Sequence, residues 1–105
     1  PHLLVESAIA RVLSVEHADT PVVAVTAVPD LRKGERIVVV HTPVSETGVQ
    51  IGQALRKAGL PPLFIPMADS YVEVDTLPVL PSGKVDLGAI RKIAEAHFTP
   101  EHAGV

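Results

Sequence analysis

Val22-Val23-Ala24-Val25-Thr26-Ala27-Val28-Pro29-Asp30-Leu31-Arg32-Lys33-Gly34-Glu35-Arg36-Ile37-Val38-Val39-Val40-His41 decides the fold. Val22 to Val28 is a β-branched run between Pro21 and Pro29, and Glu35 to His41 is a second such run. Pro29 to Gly34 is rich in turn formers and short enough to return the chain as an antiparallel hairpin. Upstream, Val5, Ala8, Ile9, Val12 and Leu13 follow the spacing of an amphipathic helix, with Glu6, Ser7 and Arg11 elsewhere on its surface. Downstream, a helix is expected over residues 46–58, capped at Ser45, stapled by Val44 and Val49 and ended by Gly59. Leu63-Phe64-Ile65 and Tyr71 to Val74 read as short strands, and Asp86 can cap a last helix carrying Leu87, Ile90, Ile93 and Ala94 on one face. This order predicts one α+β domain: a small antiparallel β-sheet, hairpin plus short strands, flanked by about three α-helices. The expected bounds are residues 1–98 for the domain and 99–105 for a frayed tail.

Composition removes several function classes. The chain has 105 residues, 47% of them hydrophobic, enough for one modest core. Net charge is −3 with three aromatic residues and no basic stripe, so nucleic acid is not an expected partner. Cysteine is absent, which excludes a disulfide framework, a thiol nucleophile and a cysteine metal site. No apolar stretch approaches the length of a membrane span, and the N-terminus lacks the order of a signal peptide. The chain starts at Pro1 and enters an apolar pattern at once, which reads as a piece of a longer protein.

The residues that carry chemistry lie near the C-terminal end, in Leu77-Pro78-Val79-Leu80-Pro81-Ser82-Gly83-Lys84-Val85-Asp86. Prolines and a glycine hold one lysine on a short loop ahead of a helix start. A lysine presented this way is a compact charge on a flexible stem, suited to a phosphate or carboxylate oxygen. A nucleotide P-loop is excluded. Pro78 stands where the first glycine of Gly-x-x-x-x-Gly-Lys-Ser/Thr should be and has no amide hydrogen, and Val85 replaces the magnesium-binding hydroxyl. A plain turn with a solvated lysine remains the alternative on turn chemistry alone.

The ordered set of motifs resembles the C-terminal domain of the adenylate-forming ligases. It comprises Val23-Ala24-Val25, Pro29-Asp30, Gly34-Glu35 with Ile37 to Val40, Ala58-Gly59-Leu60-Pro61, Ile65-Pro66, and the terminal Ser82-Gly83-Lys84-Val85-Asp86. The similarity runs over roughly residues 1–95 and is greatest to the acyl-ACP synthetase part of bifunctional 2-acylglycerophosphoethanolamine acyltransferase/acyl-ACP synthetases. There Pro1 to Glu6 would follow the interdomain hinge. Two departures stand out: Leu87 occupies a position where many members carry arginine, and the Lys/Tyr residues often found before Ile65-Pro66 are missing.

The resemblance implies an ATP-dependent ligase that activates a carboxylic acid as acyl-AMP and passes it to a pantetheine thiol. Lys84 would be the catalytic residue, with Ser82 and Gly83 beside it; Gly34 and Glu35 would lie on a second, thiol-facing surface. The domain would be mobile and inactive alone. ATP and Mg²⁺ would be bound mainly by a missing large domain, the acceptor would be acyl carrier protein or coenzyme A, and the acid a fatty acid used in phospholipid metabolism. The implied compartment is the cytoplasm, with any attachment to the inner membrane left to upstream segments.

The remaining candidates are weaker. His2, His17, His41, His97 and His102 lack the spacing of a helical zinc site, so no metal is expected. Asp30 with Glu35, and Asp69 with Glu73 and Asp75, read as solvated acids with no second catalytic group in place. Arg32-Lys33 and Arg56-Lys57 suit an acidic carrier protein or simply a solvated surface. A plain hairpin glycine accounts for Gly34 equally well. The competing reading of the whole chain is a stand-alone, non-catalytic α+β interaction module.

Overall fold

The computed structural model describes residues 2–32 and 34–98. The expected tail, 99–105, lies outside the described residues. The fold is α+β as expected, with α1 (His2–Val12), β1 (Val23–Asp30), β2 (Gly34–His41), α2 (Gly48–Lys57), a 3-10 turn (Pro62–Phe64), β3 (Tyr71–Glu73) and α3 (Leu87–His97) in that order. β1 and β2 form the expected antiparallel hairpin, with Val25 opposite Val39 and Asp30 opposite Gly34.

Helices cover both faces of this sheet, which explains why Val23 to Val28 of β1 are buried without a break. Ala24, Val28, Val38, Val40 and Val72 pack with Ile90 and Ala94 of α3 on one face. Val23, Val25 and Val39 pack with Val5 and Ile9 of α1 and Ile51 and Leu55 of α2 on the other. Each fully buried Val, Ile or Leu of these layers contributes about 1.5–3 kcal/mol of hydrophobic transfer free energy. A strand buried on both faces loses the polar alternation of a half-exposed one.

Three local expectations need correction. First, β3 pairs with β2 in parallel, Val39 beside Tyr71 and His41 beside Glu73, so the sheet is mixed and not wholly antiparallel. The cause is α2, whose crossover returns the chain to start β3 in the direction of β2. Second, α2 is capped at Thr47, two residues after the expected cap. Thr47 Oγ1 accepts from Gln50 N–H at 3.1 Å, and Gln50 Oε1 accepts from Thr47 N–H at 2.8 Å. A cap at Ser45 would place Gly48 at the reciprocating position, and glycine has no side chain to return the bond. Third, Leu63-Phe64-Ile65 is not a strand. Pro61 and Pro62 start a 3-10 turn that leaves Leu63 83% exposed while Phe64 and Ile65 pack inward.

Helix ends follow local chemistry. Gly59 takes φ +94° after α2, donating to Arg56 O while Leu60 N–H reaches Leu55 O. The same two-bond closure ends α1 at Ser14, a non-glycine residue at φ 59°. Gly48 has a different constraint: a Cβ there would meet the Ala68 carbonyl and lie 2.9 Å from Tyr71 Cδ1.

Candidate functional site

The lysine loop is a closed hairpin. Val79 bridges Val85 in antiparallel fashion. Asp86 N–H donates to Pro78 O at 2.9 Å, Leu80 N–H to Lys84 O at 2.7 Å, and Gly83 N–H to Leu80 O at 2.8 Å. Pro81 sets the first turn position, and Gly83 takes φ +90° where an L side chain would be strained. Both legs are anchored. Leu77 is buried in the core shared with Ile90, and Asp86 Oδ1 accepts from Ala89 N–H at 3.1 Å to cap α3.

This geometry fixes the backbone at Lys84 and leaves its side chain exposed. Lys84 N–H leans on Ser82 Oγ at 3.4 Å, and no ion pair engages its ammonium among the described residues. Ser82 and Gly83 shape the turn beside the lysine. The arrangement can offer one mobile positive charge to an anion, with no acid or base paired to it.

Gly34 and Glu35 lie elsewhere. Gly34 opens β2 at φ +82°, and nothing lies within 4 Å of where its Cβ would stand. Asp30 Oδ2 accepts from Arg32 N–H at 3.2 Å across this turn, and Glu35 is exposed. The two turns lie apart, near the two ends of α3. α3 starts at the lysine hairpin and ends at Phe98, over whose ring Arg36 lies at 4.3 Å. The 11 residues of α3 span about 16 Å, and Arg36 is two residues from Gly34. Lys84 with its turn, and Gly34 with Glu35, are thus two separate surfaces.

Arg36 is a residue that sequence reasoning passed over. Its Nε donates to Ser70 Oγ at 2.8 Å and its Nη2 to Asp69 Oδ1 at 2.6 Å. Its partners lie more than thirty residues away, so no local pattern announces them. Beside it is a cleft of about 410 Å³, lined among others by Glu35, Ile37, Ile65, Pro66 and Met67.

The other acids and histidines form no second centre. Asp69 serves Arg36, and among the described residues no three His, Cys, Asp or Glu side chains converge on a common point. Burial raises Glu6 above the ordinary glutamate range. Burial also pushes the Tyr71 phenol up to about 12, where it stays protonated at neutral pH and cannot act as a base. Its hydroxyl has no hydrogen-bond partner among the described residues. No described helix is long and apolar enough to cross a membrane.

No protein-family profile and no curated protein sequence matches the chain. Solved structures do. The amide bond synthetase McbA from Marinactinospora thermotolerans is 25% identical with a TM-score of 0.68, over 88% of this chain and 18% of that one. An acyl-CoA synthetase from Brucella canis is 24% identical with a TM-score of 0.70, over 91% of this chain and 17% of that one. An AMP-forming acyl-CoA synthetase/AMP-acid ligase II-like protein from Dyadobacter fermentans is 14% identical with a TM-score of 0.64, over 87% and 25%. The structural neighbours are therefore acyl-CoA synthetases and other adenylate-forming ligases, and this chain spans a quarter or less of the three.

Proposed function

We propose that this chain is the mobile C-terminal domain of an ATP-dependent acyl-activating ligase of the acyl-ACP synthetase type found in bifunctional 2-acylglycerophosphoethanolamine acyltransferases. Its substrate is a fatty carboxylic acid, and its acceptor is the pantetheine thiol of acyl carrier protein or coenzyme A. The protein works in the cytoplasm. The observation that carries this reading is Lys84: exposed, without an ion-pair partner among the described residues, and held on a hairpin closed by its own backbone.

The mechanism follows from that charge. A substrate carboxylate oxygen attacks the α-phosphorus of ATP; the new P–O bond forms as the bond to pyrophosphate breaks, and pyrophosphate leaves. Two anions must meet, and the Lys84 ammonium lies between carboxylate and phosphate oxygens to offset their repulsion. It forms no covalent bond. ATP and Mg²⁺ are held mainly by the larger part of the enzyme. The domain then rotates about its hinge, withdraws Lys84 and brings the Gly34–Glu35 end to the thiol channel. The separation of the two turns across the fold supports this alternation.

In the full-length protein, Lys84→Ala should lower acyl-AMP formation about 10²-fold or more, the scale of losing one preorganised charge contact. Lys84→Arg should rescue poorly, because a planar fork does not replace a compact ammonium. Pyrophosphate release measures both. The 105 residues alone should release none, and full activity in Lys84→Ala would return the chain to the interaction-module reading.

A further inference from the structure

The sheet has an open edge that the fold leaves beside a cleft. Thr42 N–H donates to Val22 O across the hairpin, so even-numbered residues of β2 direct their backbone groups at β1. Odd-numbered residues direct theirs outward. Val39 N–H meets Ser70 O, and His41 O receives Val74 N–H, on the side where β3 lies. β3 covers only that half of β2. Glu35 and Ile37 continue the outward series, and among the described residues nothing bonds their outward N–H and C=O groups.

These unpaired groups face the cleft of about 410 Å³ whose far side includes Pro62, Ile65, Pro66 and Met67. Pro62 and Pro66 there offer no amide donors, which leaves fewer main-chain donors on that wall than on the β2 edge. Arg36 brings no net positive charge to the cleft because Asp69 neutralises it at 2.6 Å. Glu35 is exposed, with no ion-pair partner among the described residues. The cleft therefore has strand-edge donors and acceptors, an apolar wall and, at Glu35, a carboxylate with no ion-pair partner among the described residues.

We propose that the Glu35–Ile37 edge is a strand-addition site for a short extended peptide. The peptide extends the line of β3, exchanges main-chain hydrogen bonds with Glu35 and Ile37, seats an apolar side chain against Ile65, Pro66 and Met67, and sets a lysine or arginine against Glu35. Main-chain bonds supply affinity in this mode and alternate side chains supply selectivity. The inference rests on the sheet edge and the cleft beside it and is independent of the ligase reading.

The test is amide NMR titration of the 105-residue chain with the capped heptapeptide Ac-Gly-Lys-Val-Ile-Val-Lys-Gly-NH2. A second peptide carries N-methyl groups on its three central residues, which keeps the side chains and removes the main-chain donors. The expected result is saturable shifts centred on the Glu35 and Ile37 amides. The N-methylated peptide should bind about tenfold or more weakly, the scale of losing one or two hydrogen bonds. Glu35→Lys should also weaken the unmodified peptide, with the rest of the spectrum unchanged. The proposal is overturned by no shift at those amides, by shifts centred elsewhere, or by equal binding of the two peptides. Pantetheine is titrated in parallel, and stronger shifts at the same amides with it than with the peptide would likewise overturn the peptide assignment.

Discussion

Two turns of this molecule share several features, and a cation beside each stands in a different state from the other. The Leu80–Lys84 turn and the Asp30–Gly34 turn each enclose three residues, each rests on a glycine at positive φ, and each has a side-chain oxygen accepting from the backbone two residues on. Beside the first, Lys84 is exposed and takes part in no ion pair among the described residues. Beside the second, Arg36 is held by Ser70 and Asp69 and stacked on Phe98. A cation held on three sides by its own protein stabilises the fold; one held on none is available to a ligand. Turn geometry alone does not separate these roles, but the surroundings of the charge do.

That contrast breaks first under stability measurements. Arg36→Ala removes the donor to the Oγ of Ser70, a residue with 0% exposure, and uncovers Phe98. Urea unfolding should show a loss of about 1–3 kcal/mol, the cost of leaving a buried polar group unsatisfied. Lys84→Ala should stay within about 0.5 kcal/mol of the parent, as for a solvated surface residue. Similar losses in the two variants would erase the distinction.

A smaller effect sharpens the likeness of the turns. Chain neighbours aside, no atom of the described residues lies within 4 Å of a Cβ built at either Gly34 or Gly83, so the positive φ is what opposes a side chain. Gly34→Ala and Gly83→Ala should each cost about 1–2 kcal/mol in the same unfolding assay. A much larger loss at Gly83 would mean that the lysine hairpin is coupled to the core more tightly than its open surroundings indicate.

The smallest effect lies away from both turns, at Glu6. Its raised pKa means the folded state holds the proton to higher pH than the unfolded chain does. The sign follows directly: this contribution is intact below the ordinary glutamate value and is lost as pH rises through the folded pKa. Glu6→Gln should therefore melt higher than the parent at pH 7, and the gap should close at pH 4. A gap unchanged between the two pH values would remove burial of the charge as its cause.

Much of this was legible in the residues themselves. The hairpin, α1 and α3, the cap at Asp86 and the closing role of Gly59 all depend on contacts within a few positions, and each was readable from spacing and turn chemistry. The exceptions needed more. Placement of the α2 cap turned on which residue three positions on could return a bond: Gln50 can and Gly48 cannot. The short apolar run at Leu63 fits strand and helix patterns equally, and Pro61-Pro62 favours the turn. The direction of β3 was set by the α2 crossover. Lys84 stands out in the sequence because prolines and glycine frame it locally. Arg36 was missed because Asp69, Ser70 and Phe98 meet it only in the folded chain.

The central claim is that Lys84 and Gly34 serve different half-reactions from separate surfaces of one domain. The most direct measurement is single-turnover thioester formation from synthetic acyl-AMP, run beside pyrophosphate release in the full-length protein. Lys84→Ala should lose pyrophosphate release while thioester formation from supplied acyl-AMP is largely kept, and Gly34→Trp should show the reverse. Equal loss of both half-reactions in Lys84→Ala, with circular dichroism unchanged, would contradict the alternation.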